Sequence, residues 1–269
     1  MPFLMANGIR TYYETVGRGD PLVLLHNDAL SLDVWRRLSP HLGRWHRVIA
    51  YDRRGHGQTA GPPREAPYTV EVLAEDLRGL LDGLEIPEAD FFGYSGGAIT
   101  ALALAFPARV RRLILAEPPI LGFRQDHPID TAGLRGDTIA QIMREQGVAA
   151  GLDYWFRAIL PPRRATAMLR SRYRSLLLSR PAWIIEGIIR SAEGFNPTSR
   201  LAALRQPVLL ILGEKSHAHF SSIIEVLASQ LPRATRLVLP GADHSTLLEP
   251  SDTLLSSVRG FLSTPVPAA

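Results

Sequence analysis

The sequence predicts an α/β fold: a mostly parallel, doubly wound sheet of eight strands that carries an inserted helical segment. Three observations predict it. Short runs of Val, Leu, Ile and Phe alternate along the chain with helical patterns. The middle runs are continuously apolar rather than alternating, as strands covered on both faces require. One connection, between Ala116 and Val208, holds about ninety residues with no clear strand.

The elements follow in order. Pro2–Ala6 is a weak strand candidate, and Gly8–Val16, Leu22–His26 and Arg47–Tyr51 are stronger ones, with a helical pattern over Leu32–Leu42. A helix over Val70–Leu84 leads to the strand Asp90–Tyr94, then to a helix over Ala98–Ala105 and a strand over Arg112–Ala116. The long connection shows helical patterns at Asp137–Gln146, Leu152–Ile159, Ala165–Leu178 and Trp183–Ala192, punctuated by Pro161, Pro162 and Pro181. Val208–Leu212 and Thr235–Leu239 resume the strands, alternating with helices over Ser221–Leu231 and Asp252–Leu262. The division this implies is a core of residues 1–121 and 202–269, interrupted by a helical cap over residues 122–201. Ser263–Ala269 is expected to fray.

Composition narrows the class. The chain has 269 residues, 46% of them hydrophobic and 21% charged, which suits a globular protein with a sizeable core. No apolar run reaches the ~18 residues of a membrane span, and the N-terminus lacks the basic-then-apolar pattern of a secretory signal. With no cysteine there are no disulfides, thiolate metal sites or thiol nucleophile. A cytoplasmic location is the default expectation. Residues 122–200 hold twelve Arg against seven Asp or Glu. These arginines are scattered at helical spacings among apolar residues, which describes a solvated helical face rather than a nucleic-acid or membrane surface.

Chemistry concentrates at Phe91-Phe92-Gly93-Tyr94-Ser95-Gly96-Gly97. An apolar strand runs into a Gly-x-Ser-x-Gly turn, and an Ala-rich helix follows. A sharp strand-to-helix turn lifts the serine hydroxyl out of the sheet, and glycines two residues either side give the turn room. The first N–H groups of the new helix, Gly96 foremost, can donate to a developing oxyanion. Ser95 is therefore the candidate nucleophile. His217 and His219 form a His-x-His pair, but no carboxylate or third histidine completes a metal site, so a surface loop is expected there.

With further motifs, nearly all of residues 7–262 resembles the α/β-hydrolase family. Leu24-Leu25-His26 lies where that family has its oxyanion loop. Asp52-Arg53-Arg54-Gly55-His56-Gly57-Gln58-Thr59 is similar to its D-x-R-G-H-G-x-S turn, with Asp52 and His56 as turn formers. Pro240-Gly241-Ala242-Asp243-His244, followed by Glu249-Pro250, is similar to the stretch carrying the catalytic histidine. The resemblance implies His244 as the base and Asp28 as the residue supplying the second oxyanion N–H. It implies no metal and no organic cofactor.

Two positions depart from the family pattern. Where many relatives have Gly-Glu-x-Asp after the seventh strand, this chain has Gly213-Glu214-Lys215-Ser216, so the expected aspartate is a serine. Some family members carry the acid one strand earlier, and Glu117 stands there before Pro118 and Pro119. Glu117 is the favoured acid and Glu214 the alternative. At the oxyanion loop, the usual glycine is Asn27, followed by Asp28. A carboxylate facing inward would oppose the oxyanion. Asp28 is expected to turn away and cap the next helix, with contact to a substrate hydroxyl or amine as another option.

A Ser95–His244–Glu117 triad implies hydrolysis of a small-molecule ester or lactone through an acyl-enzyme. A distant resemblance to zearalenone-type lactonases, carried by Glu117 and by Pro181-Ala182-Trp183, implies Trp183 as a substrate contact, with Tyr94 and Asn27 beside the nucleophile. Cofactor-free dioxygenase or C–C hydrolase chemistry, and a weakly catalytic receptor, stay open as alternatives. So does a homodimeric state.

Overall fold

The computed structural model describes residues 2–63, 66–104, 109–129 and 135–266. Eight strands form one sheet: β1 (Phe3–Ala6), β2 (Ile9–Val16), β3 (Pro21–Leu25), β4 (Arg47–Tyr51), β5 (Ala89–Tyr94), β6 (Val110–Ala116), β7 (Val208–Gly213) and β8 (Ala234–Leu239). Their order is β1-β2-β4-β3-β5-β6-β7-β8, antiparallel over the first two pairings and parallel over the rest. The continuous apolar runs make sense in this setting, because successive side chains serve opposite faces. Leu22, Leu24 and Phe92 pack with Trp35, Leu38 and Val258 on one side, while Val23, Leu25 and Phe91 pack with Leu77, Leu80 and Ile99 on the other.

Helices α1 (Ser39–Leu42), α2 (Val70–Gly83) and α3 (Gly96–Leu104) lie in the first part of the chain, and α10 (Ala218–Gln230) and α11 (Asp252–Leu262) in the last. Between β6 and β7 run α4 (Gly136–Gln146), α5 (Val148–Ile159), α6 (Pro162–Leu169), α7 (Arg172–Leu178), α8 (Ala182–Gly194) and the single turn α9 (Thr198–Leu201). Two expected helices come out differently. Leu32–Leu42 is a 3₁₀ turn over Leu32–Trp35 and a separate α1, because Asp52 Oδ1 captures the Leu32 N–H at 2.8 Å and Pro40 restarts the helix at its first turn. Ala165–Leu178 is split into α6 and α7 at Ser171, whose Oγ donates to the Met168 carbonyl at 2.7 Å and competes with the helical ladder. The C-terminal end of the helix expected over Ala98–Ala105 and the last residues of the tail expected to fray lie outside the described residues.

The parallel ladder sets the position of the site. Tyr94 pairs with Ala116, and Ala116 with Ile211, so residues 95 and 117 sit side by side just beyond their strands. Ser95 N–H donates to Ala116 O at 2.8 Å and Glu117 N–H to Ile211 O at 3.1 Å, extending the ladder by one residue each. The inserted helices are fastened to the sheet side. Ser191 Oγ donates to Tyr68 O at 3.0 Å, and Arg180 donates to the carbonyls of Asp28 and Leu30 at 3.1 and 3.0 Å. No helix among the described residues is long and apolar enough to cross a membrane.

Candidate active site

Ser95 joins β5 to α3 at φ 54°, a left-handed conformation that costs a non-glycine residue about 1–3 kcal/mol. The glycines around it are fixed by close approach. A Cβ at Gly93 would come within 2.4 Å of Ala98 Cα, and one at Gly97 within 2.3 Å of Leu25 O. Glu117 is also left-handed, at φ 46°. Strain at two neighbouring strand ends marks both as positions the fold holds in place.

Glu117 is fully buried, and its two oxygens have separate partners. Oε1 accepts from Gly213 N–H at 2.7 Å and Oε2 lies 2.6 Å from His244 Nδ1. That contact gives Nδ1 the proton and leaves Nε2 as the acceptor. The His244 ring stacks on Phe220 at 4.4 Å and 11°, and its carbonyl accepts from the Tyr94 hydroxyl. Burial, then the Glu117 charge, pushes the Tyr94 phenol up, so it stays a donor. At the seventh-strand turn, Glu214 is exposed and accepts from Gly241 N–H, while the buried Ser216 Oγ has no partner among the described residues. Of the two candidate acids, Glu117 meets the histidine.

The opposite side of Ser95 is polar. Asp28 is buried, and its Oδ1 lies 2.6 Å from Arg53 Nη2, itself almost wholly buried. The carboxylate lies over Gly96, where an added Cβ would be 2.0 Å from Oδ1. His26 spans the same loop: Nδ1–H donates to Asn27 O at 2.6 Å and Nε2 accepts from Arg53 N–H at 3.0 Å. Burial, then the charge of Arg53, holds His26 well below the ordinary histidine value, which agrees with this neutral tautomer. Asp52 is the turn former, its carboxylate accepting from Leu32 and Gln58 N–H at 2.8 Å each.

Ser95 and His244 line one cavity of about 290 Å³ together with Asn27, Asp28 and Tyr94, closed on the insertion side by Trp155, Phe156 and Met168. An apolar pocket of about 30 Å³ opens from the same three residues, Ser95, His244 and Asp28, between Leu121, Ile139, Ile188 and Phe220. Charged residues lining the larger cavity are already paired: Asp28 with Arg53, Asp33 with Arg36, and Arg37 with Glu249. Arg180 is largely buried, and that burial lowers its pKa to about 10.

Comparison with known proteins bears on the fold. A family model described as the alpha/beta hydrolase fold matches residues 20–141. A hydrolase structure from Pseudomonas aeruginosa PA01 superposes with a TM-score of 0.78 at 28% identity, over 97% of this chain and 98% of that one. The chain has the α/β-hydrolase fold. Among curated relatives, the 2-hydroxymuconate semialdehyde hydrolase of Pseudomonas sp. (strain CF600) is 29% identical over 97% of this chain and 93% of its own. The 3-oxoadipate enol-lactonase 2 of Acinetobacter baylyi is 33% identical over 54% of this chain and 52% of its own.

Three expectations are corrected by the geometry of the site. Asp28 does not cap the next helix: Ser31 does, its Oγ accepting from Asp33 N–H at 3.4 Å, and the buried Arg53 draws the Asp28 carboxylate inward. Trp183 does not line the Ser95 cavity. It lines a separate surface groove with Tyr68 and Arg190, while Ile188 and Ile189, about 140° and 240° round α8 from it, face the nucleophile. His219 is not on a surface loop; it is buried, with Nδ1 2.9 Å from that of His217 and its ring against Phe220. Burial, then the neighbouring His217 and His244, lowers its pKa to about 3. Among the described residues no group of three potential metal ligands occurs. Sequence reasoning missed Arg53, Arg180, Phe220 and Trp155. Only Trp155 had a usable signal, its helical spacing from Leu152 and Ile159.

Proposed function

We propose that this α/β-hydrolase cleaves carboxylic esters or lactones, with Ser95 as nucleophile, His244 as base and Glu117 as the triad acid. The observation that carries it is the 2.6 Å Glu117–His244 contact behind an elbow serine that shares a cavity with the histidine. Ser95 Oγ adds to the carbonyl carbon while its proton passes to His244 Nε2, and Glu117 stabilises the resulting imidazolium. N–H groups of Gly96 and Asp28 receive the oxyanion. Collapse breaks the C–O bond, and the His244 proton goes to the departing alkoxide. Water, deprotonated by His244, then releases the acid and restores Ser95. The helices of residues 122–201 act as the cap.

Two features support an ester or lactone. The larger cavity and the apolar pocket meet at Ser95, giving room for one substrate arm on each side. Among the described residues, each cation lining the larger cavity is already paired, so an uncharged substrate fits better than a carboxylate-bearing one. C–C bond hydrolysis is the second reading, favoured by the nearly full-length similarity to the semialdehyde hydrolase.

A panel of esters and lactones of graded size, run beside 2-hydroxymuconate semialdehyde, tests the choice. Ester or lactone turnover should exceed semialdehyde turnover and vanish in Ser95→Ala, along with labelling by a serine-directed phosphonate. A loss on the order of 10⁴ or more in kcat is expected for Ser95→Ala and His244→Ala. Turnover confined to the semialdehyde would transfer the assignment to C–C hydrolysis, and labelling that survives Ser95→Ala would remove the nucleophile.

A further inference from the structure

Asp28 is a costly residue in its position. An anion beside the oxyanion donors raises the barrier that those donors exist to lower, and burying it costs several kcal/mol unless it is paired. Arg53 answers only part of this. It binds Oδ1, while among the described residues Oδ2 accepts no hydrogen bond. The carboxylate lies flat over Gly96, with an added Cβ 2.2 Å from Oδ2, so it adjoins the residue whose N–H faces the scissile carbonyl. It also borders both the larger cavity and the apolar pocket.

We infer that Asp28 is a specificity-determining residue whose free carboxylate oxygen accepts a hydrogen bond from a substrate hydroxyl one or two carbons from the scissile carbonyl. This rests on the ester and lactone reading for its reaction, though not for its binding. A hydroxyl suits the site better than an ammonium group does. The Asp28 charge is already balanced by Arg53, and the guanidinium of Arg180 donates to Asp28 O at 3.1 Å, so the surroundings repel a further cation. A substrate carboxylate would face the anion directly. A neutral donor has an unused acceptor waiting for it, and an analogue lacking the donor leaves that acceptor desolvated and unpaired.

The test compares matched neutral compounds with and without the hydroxyl. Methyl mandelate and methyl phenylacetate report hydrolysis; mandelamide and phenylacetamide, followed by calorimetry, report binding without chemistry. Wild-type protein should favour the hydroxyl member of each pair by about tenfold or more, the scale of a hydrogen bond to a charged group. Asp28→Asn should shrink that ratio to about threefold or less, whatever the absolute rate, since an amide oxygen is a weaker acceptor than a charged one. Because Asp28→Asn leaves Arg53 buried without its partner, the double variant Asp28→Asn, Arg53→Leu provides a second folded test. Equal affinity of the two amides for wild type, equally undetectable binding included, overturns the inference. So does a ratio unchanged in a folded variant, or a preference for phenylglycinamide over mandelamide. If the binding preference appears and depends on Asp28 while neither ester is hydrolysed through Ser95, the inference stands and the ester reading falls.

Discussion

The two walls of the cavity are built differently. On the sheet side, Ser95 and Glu117 follow directly from strands β5 and β6, held by hydrogen bonds that continue the ladder, and His244 stands on the loop after β8. On the insertion side, Trp155, Phe156 and Met168 come from helices whose contact with the site depends on how they pack. Strand-end residues take their place from backbone register. Helix residues take theirs from rotation about an axis, and a turn of 100° exchanges cavity for solvent. Positions on one wall are therefore set by register, and those on the other by packing.

The sharpest way to break that comparison is at Glu117. In Glu117→Gln the amide oxygen can keep the Gly213 N–H, which turns the NH₂ toward His244 Nδ1. The proton must then move to Nε2, where it blocks base catalysis. A fall of about 10⁴ in kcat is expected, with the melting temperature nearly unchanged. Glu214→Gln, at an exposed carboxylate, should stay within about twofold of wild type. If Glu214→Gln is the crippled variant, the acid belongs to the seventh-strand turn.

On the insertion wall a smaller and substrate-dependent effect is expected. Trp155→Leu should raise KM for a bulky lactone by roughly three- to tenfold while sparing a small acetate ester, because only the large substrate reaches α5. Trp183→Ala should change neither by more than about twofold, since Trp183 lines a different groove. Matching effects of the two variants on the bulky lactone would show that α8 is turned otherwise than described.

The least change, and the most gradual, concerns acid. His26, His56 and His219 are buried outside the insertion, and desolvation holds all three below the ordinary value of 6.5, His219 at about 3. A base with a depressed folded value takes up a proton on unfolding, so its contribution is complete above pH 6.5 and is lost as pH falls toward the folded value. Each such histidine makes stability decline by about 1.4 kcal/mol per pH unit over its window. Chemical denaturation from pH 7 to pH 4 should show this decline, and His219→Phe should make it shallower. An unaltered slope in that variant would mean that His219 is as accessible to protons in the folded protein as in the unfolded chain.

Much of this molecule was legible in its sequence. All eight strands were located to within a few residues, and the middle ones were clearest, because parallel strands covered on both faces require uninterrupted apolar runs. Ser95, His244 and Glu117 were legible for a related reason: each stands directly after such a run, or after the loop that follows one. The break at Ser171 was not legible, since whether a serine continues a helix or takes back its carbonyl depends on its surroundings. Between Glu117 and Glu214 the sequence only favoured the first, through the serine at position 216. Both stand beside strand ends, and only the tertiary fold shows that the Glu117 carboxylate meets His244 while that of Glu214 meets Gly241. The direction of Asp28 was decided in the same way, by a buried arginine 25 residues away. Sequence determined what local patterns and backbone periodicity can fix: the strands, the elbow and the order of the triad. Tertiary structure decided which charges meet and which helix face turns inward, because those follow from packing between segments distant in the chain.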